Sequence, residues 1–357
     1  MVLTTPKNPT NVDAIDDERL SQASPIVRLF RRPEIGALMG AVAVYGLFSL
    51  ADGTANNIFP SLTGAARWSD YASSIGIVAV MVALLMIGGE FDLSAGVMIG
   101  SSGLVGGLLS THFHWGLWPS IAAMFAFALT VGFINGYLVV KTGLPSFIVT
   151  LAMFFSLRGL NLGLTKALTD TVRVSDVDKT AGYHSAHAVF ASEFWQPYGF
   201  KISVLWWLGI TIVATWILSR TRFGNWIYAV GGDKNAARNT GVPVKFTKIT
   251  LFIGTSLAAC LVGVIDLTRL NGIQAGQGVG DEFQFIIAAV VGGCLLTGGY
   301  GSAIGASIGA SIIGMAFIGI AYAGWNTDWT FLFLGVILFL AVLVNTFIGR
   351  RAQGARK

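Results

Sequence analysis

Charge is what this sequence has least of. Asp, Glu, Lys and Arg supply 11% of its 357 residues, against about 25% in soluble domains. A chain that is 54% hydrophobic cannot cover itself with polar surface, so lipid is the expected solvent for most of it. Cysteine is nearly absent. Cys260 and Cys294 both fall in apolar runs, where they read as small buried hydrophobes rather than a disulfide or a metal pair. No Gly-Lys dipeptide occurs, which excludes a Walker A phosphate cradle and an ATPase within this chain. No cleavable signal is visible either. The stretch 1–33 is polar, with Asp13, Asp16, Asp17 and Glu18 clustered, and reads as a cytoplasmic tail before an uncleaved first span.

Catalytic and metal chemistry find no residues to carry them. Of the four histidines, His112 and His114 sit in a tight turn and His184 and His187 in a loop, without metal spacing. No nucleophile and base stand in an arrangement of their own, and Ser and Thr inside spans bond helix backbones. The string Gly276-Gln277-Gly278-Val279-Gly280 lacks the strand and ribose-binding acid of a dinucleotide loop. No cofactor, metal, catalytic residue or nucleic-acid partner is expected.

What the sequence has is long apolar runs, about as long as a bilayer is thick. They predict an all-α polytopic membrane protein of ten helices: Ile35–Ala51, Tyr71–Gly88, two spans within Leu93–Val140 parted at His112–Gly116, Pro145–Thr165, Ile202–Ser219, Phe246–Leu267, a short Phe283–Leu296, Ser302–Ala323 and Trp329–Ile348. The domain organisation is thus a tail (1–34), a membrane domain (35–348) and a C-terminal tail (349–357), with loops at 166–201 and 220–248. Cations give the orientation. Lys7, Arg19, Arg28, Arg31 and Arg32 in the first tail, Lys141, six cations from Arg220 to Lys248, and Arg350, Arg351, Arg356 and Lys357 all fall on one side. The positive-inside rule makes that side cytoplasmic, with both termini inside.

Glycine is abundant, at 45 residues. The pairs Gly96/Gly100, Gly103/Gly107 and Gly132/Gly136, and the run Gly301, Gly305, Gly309, recur at four-residue spacing and read as surfaces for close helix–helix contact. In the loop 220–248, Asp233 is a good N-cap for a short helix through Lys234, Asn235, Ala236, Ala237, Arg238, Asn239 and Thr240, which Gly241 can end and Pro243 cannot continue. On spacing alone it is a docking handle for a soluble partner or a solvated turn.

Four segments, taken together and in order, resemble the permease subunit of ribose-type sugar ABC importers, within a superfamily that includes branched-chain amino acid permeases. They are Gly88-Gly89-Glu90-Phe91-Asp92-Leu93-Ser94-Ala95-Gly96; Asn135-Gly136 with Lys141, Pro145-Ser146-Phe147-Ile148-Val149-Thr150-Leu151 and Arg158-Gly159; the loop Arg222-Phe223-Gly224-Asn225-Trp226 to Pro243; and Ile287-Ala288-Ala289, Gly292-Gly293 and Leu296 to Gly305. Glu90, where the family often has Ile, and Glu282-Phe283, where many relatives have Glu-Leu, depart from the pattern. The resemblance implies a type II importer fold and a monosaccharide or polyol as substrate. It implies an ABC ATPase subunit, a periplasmic binding protein, a second permease copy (a homodimer) and membrane lipid as partners, in the cell inner membrane. It makes Asp233 to Gly241 the coupling helix, with Ala236 and Ala237 both in the docking surface. A permease for branched-chain amino acids or nucleosides, an ion-coupled secondary carrier using Glu90 and Asp92, and a membrane-embedded scaffold or receptor remain the other readings.

Polar groups at membrane depth are the remaining candidates. Arg158, with Asn161 on the same helix, reads as a buried ion pair or a contact with the transport path, and Asn135 lies deep in the fourth span. Glu90 and Asp92 read as caps on the third helix, and Asp266 with Arg269 as an i,i+3 surface pair. Asn271, Gln274 and Gln277 precede the short eighth span and are expected near the outer gate.

Overall fold

The computed structural model describes residues 33–354, so expectations for 1–32 and 355–357 lie outside the described residues. Thirteen helices are described: α1 (Pro33–Ala51), α2 (Leu62–Ile87), α3 (Ala95–Thr111), α4 (Leu117–Thr142), α5 (Ser146–Thr169), α6 (Tyr183–Phe190), α7 (Ser203–Arg220), α8 (Arg222–Gly232), α9 (Lys234–Asn239), α10 (Val244–Arg269), α11 (Asp281–Val291), α12 (Ala303–Tyr322) and α13 (Trp329–Gly354). Seven are long and apolar enough to cross a membrane: α1, α2, α4, α5, α7, α10 and α12. Two more apolar stretches, α3 and the first part of α13 (Trp329–Leu343), are shorter, and α11 has only 11 residues. Each of the ten expected spans is therefore present as a helix. Large apolar side chains such as Leu38 on α1, Phe155 on α5, Trp216 on α7 and Phe339 on α13 stay exposed, as a lipid-facing rim requires.

Three boundaries differ from expectation by more than about four residues. α2 begins at Leu62 rather than Tyr71, because Ser61 Oγ accepts from Gly64 N at 3.2 Å and caps it. α11 stops at Val291 rather than Leu296, where Gly293 takes φ +93° and the chain turns out of the helix. α13 runs to Gly354, past the expected tail boundary.

The centre is built from two similar halves of opposite direction. In each, a buried helix of 26 residues (α2, α10) is followed by an irregular connection, a shorter helix (α3, α11) and then a further span (α4, α12). The halves interlock through glycine. A Cβ on Gly132 or Gly136 of α4 would meet the Cα of Ile253 or Ile249 on α10 at 2.7 Å. One on Gly314 of α12 would meet the Ala72 Cβ of α2 at 2.7 Å. Gly305 and Gly309 bring α12 against the backbones of Gly292 and Ala288. These glycines pack helix on helix as expected, except that Gly301 of the expected run lies before α12 and faces Cys294 and Ile87.

The stripe on α3 does not. Gly107, Gly103, Gly100 and Gly96 face, in that order, Val174, Ile273, Gln277, and Gly278 with Glu282. Their partner is a two-stranded ribbon, β1 (Arg173–Ser175) with β2 (Gly272–Gln274), and the loop that continues it. Gly107 to Gly96 covers roughly 16 Å of helix, about half of a ~30 Å hydrocarbon core. A glycine stripe accepts any close backbone, and here it accepts irregular chain entering the membrane domain.

Filling a close crossing should be costly. Gly309→Leu would drive a side chain into the Ala288 carbonyl, and overpacking of this kind costs about 1–3 kcal/mol. We expect a lower thermal midpoint in detergent, with Gly335→Leu, where nothing lies within 4 Å, melting like the wild type.

Candidate functional site

The end of the molecule carrying Lys141, Arg220, Arg222, Lys245 and Lys248 is the basic end, and the segment 170–202 covers the other, the lid end. At the basic end Asp233 has β-region dihedrals, and its Oδ1 accepts from Asn235 N at 2.8 Å and Ala236 N at 3.1 Å. These two backbone donors hold its carboxyl below the usual carboxylate range. The helix it starts, α9, ends at Asn239, and Gly241 at φ +83° carries the chain away. Lys234, Asn235, Ala236, Arg238, Asn239, Thr240 and Gly241 are exposed. Ala237 is not: it is 4% exposed and packs inward, so of the two alanines only Ala236 is presented at the surface.

Three backbones meet beneath this helix. Gly299 N donates to Ile87 O at 2.8 Å. A Cβ on Gly231, two residues before Asp233, would fall on the same Ile87 carbonyl, and one on Gly298 would lie 2.8 Å from the Gly89 Cα. Gly89, Gly298 and Gly299 have φ of +81°, +81° and +74°, which L side chains avoid. Tyr228 OH on α8 adds a bond to Gly301 O at 2.9 Å. The third and fourth family-like segments of the sequence are thus in contact, and the first touches both.

The first and second also form one site. Between α2 and α3 the chain is irregular, and its donors find partners one by one. Glu90 N bonds Leu85 O at 3.1 Å, Phe91 N bonds Ser146 Oγ at 3.0 Å, Leu93 N bonds Thr150 Oγ1 at 3.1 Å, and Ser94 N bonds Asp92 Oδ1 at 2.8 Å. Asn135, fully buried, donates from Nδ2 to Ser94 Oγ at 2.9 Å, and Ser94 Oγ donates to Asp92 Oδ1 at 2.6 Å. Asp92 accepts from Ser94, and Ser94, the N-cap of α3, makes no side-chain cap bond, so Asp92 shapes the turn before α3 rather than capping the helix. Glu90 does not cap; it pairs with Lys248 of α10, both largely buried. No sequence signal links two residues 158 positions apart.

At the lid end, Asp266 is 8% exposed rather than on the surface. Arg269 bridges it to Asp70 of α2, both at 3.0 Å, and Asp70 accepts from Ser203 Oγ at 3.1 Å. Gln277 Nε2 joins this network through Asp266 Oδ2 at 2.9 Å. Asn271 accepts from Tyr183 OH of the lid, which also reaches Thr268 O at 2.9 Å. Gln274 is exposed beside Arg173 in the ribbon. Asn161 is buried, its Nδ2 3.5 Å from Ala275 O, so α5 touches the irregular segment. Arg158 is exposed, within electrostatic reach of Glu282; among the described residues it makes no ion pair, and the buried-pair reading falls. The structure therefore joins Asn161 to the irregular segment that follows α10 and leaves Asn135 on a separate site. Lys248, Asp70, Tyr183 and Tyr228 were not candidates from sequence.

Two outcomes follow. Removing one partner of a buried pair strands the other, which costs about 3 kcal/mol; Glu90→Gln and Lys248→Met should each lower the melting temperature, and the double variant should regain most of it. The Asp233 cap is present above the ordinary carboxylate pKa and is lost as pH falls through its depressed folded value. Hydrogen exchange at Asn235 and Ala236, corrected for intrinsic rates, should lose protection only in that acidic window.

The sequence matches the family described as "Branched-chain amino acid transport system / permease component" over residues 64–342. Among curated proteins it is similar to the ribose import permease protein of Escherichia coli (strain K12), 30% identical over 89% of this chain and 94% of that one. The fructose import permease protein of Rhizobium meliloti is 29% identical over 78% and 76% of the two chains, and the xylose transport system permease protein of Escherichia coli (strain K12) 29% over 78% and 83%. No solved structure matches. With the match spanning most of its length, this chain belongs to the family of branched-chain amino acid transport system permease components.

Proposed function

We propose that this chain is the membrane-spanning subunit of an ATP-driven importer for a monosaccharide or polyol. It would work in the inner membrane with a separate ABC ATPase subunit, a periplasmic binding protein and a second copy of itself. The observation that carries the reading is the short capped helix α9, standing exposed at the basic end on the same glycine contacts that hold both irregular segments. The named relatives import ribose, fructose and xylose, which favours a sugar over the branched-chain amino acids of the family description.

The cation bias makes the basic end cytoplasmic, with both termini inside. Residues 220–248 then present Asp233 to Gly241 to the ATPase, and 166–201 meet the binding protein. The path runs between two copies along α5, whose exposed face carries Ala152, Ser156, Gly159 and Gly163, small enough for close approach. Arg158 and Gln274, both exposed, face the path; Asn161, Asn271 and Gln277 shape its mouth, and Asn135 supports the inner turn. ATP supplies the differential free energy between outward-open and inward-open states. An ion-coupled carrier fits less well, because Glu90 is held by Lys248.

The test is the charge variant Ala236→Glu in the reconstituted complex. We expect uptake of a labelled pentose or hexose to fall about tenfold or more, as a loss of coupling on the order of 1.4 kcal/mol implies, with the permease still folded. Wild-type uptake would overturn the coupling assignment, and leucine uptake without sugar uptake would overturn the substrate class.

A further inference from the structure

The geometry points to Gly231, Gly298 and Tyr228 as positioning residues that carry movement of α9 directly into both irregular membrane segments, an inference that rests on the importer reading above. Three chain stretches are joined here, backbone against backbone at Ile87, Gly231 and Gly299. The first is the end of α2, which leads through Glu90 to Ser94 into α3. The second is the end of α8, which leads through Asp233 into α9. The third is the connection 292–302, which leads into α12.

The joint has two kinds of contact. One is steric: Gly231 has no room for a methyl group against Ile87 O, and a Cβ there would lie 2.7 Å from Gly299 N. The other is directional: Gly299 N bonds Ile87 O at 2.8 Å, and Tyr228 OH bonds Gly301 O at 2.9 Å. Backbone in direct contact has no rotamers to absorb a displacement, and packed contacts are bistable rather than soft. A shift of α8 and α9 must therefore shift Gly89 and Gly299 together. Gly89 leads to the Asp92–Ser94–Asn135 turn at the start of α3, and Gly299 leads, through the Gly292–Gly305 crossing, to the α11–α12 pair. α3 and α11 meet each other at Gly96 and Glu282. One push at the basic end therefore reaches both short helices, α3 at its start and α11 at its end.

Glycine alone does not account for this arrangement. Gly232, the next residue, has open space around its Cβ position and provides the internal control.

The experiment reads sugar imported and ATP hydrolysed in the same proteoliposomes, with the complete complex and its binding protein. For Gly231→Ala and Tyr228→Phe we expect ATP hydrolysis to persist and the ATP consumed per sugar to rise about fivefold or more. Gly232→Ala should keep the wild-type ratio. Tyr228→Phe loses one hydroxyl and no volume, so it decides the matter if Gly231→Ala fails to assemble. A normal ratio and normal uptake in Tyr228→Phe, in a complex that Ala236→Glu does uncouple, would overturn the joint alone. Absence of any ATP-dependent uptake by the wild type would overturn the importer reading instead. Uptake and hydrolysis falling together at a constant ratio would show a merely structural role and also overturn it.

Discussion

In hydrocarbon every backbone N–H and C=O must be satisfied within the protein, and this molecule contains chain that is not helical at membrane depth. The rest of the architecture follows from covering it. Glu90 to Ser94 is covered by the hydroxyls of Ser146 and Thr150 at the start of α5. Gly272 to Gly280 is covered by the glycine face of α3, the lid strand Arg173–Ser175 and Asn161. The connection 292–301 is covered by Ile87, Gly231 and Tyr228. Small residues are concentrated where those approaches occur, and this explains their abundance better than helix pairing alone.

Two of these runs, Glu90 to Ser94 and Gly272 to Gly280, also explain why α3 and α11 are shorter than a bilayer requires. Each shorter helix starts only after an irregular run, and their starts meet at Gly96 and Glu282. The ion pairs that join the two halves stand at the two ends of this arrangement. Lys248 answers Glu90 near the basic end, and Arg269 answers Asp70 and Asp266 near the lid. Both pairs tie α10 to the α2 half, so the ion pairs repeat the interlock that the glycines make in the apolar middle.

The motif segments acquire a single physical meaning from this. Gly88–Gly96 and Asn135 with Ser146 and Thr150 are the two sides of one set of hydrogen bonds. The 222–243 loop and the 292–305 connection are two sides of one glycine contact.

Hydropathy was enough to read ten spans, the break at His112–Gly116 and the brevity of the eighth, because apolar length is a local property. Local backbone chemistry likewise made Asp233 legible as a cap and Gly241 as a stop. Long-range partners were not legible. Glu90 with Lys248, Asp70 with Arg269, and Gly231 with Ile87 depend on which distant strands of chain the fold brings side by side. Apolar length and charge placement are enough to read a polytopic membrane chain, its breaks and its basic end. That the α3 glycines receive irregular backbone rather than a helix, and that Ala237 faces inward, depends on long-range packing. A glycine stripe or a small residue records that something comes close; what comes close is settled by packing.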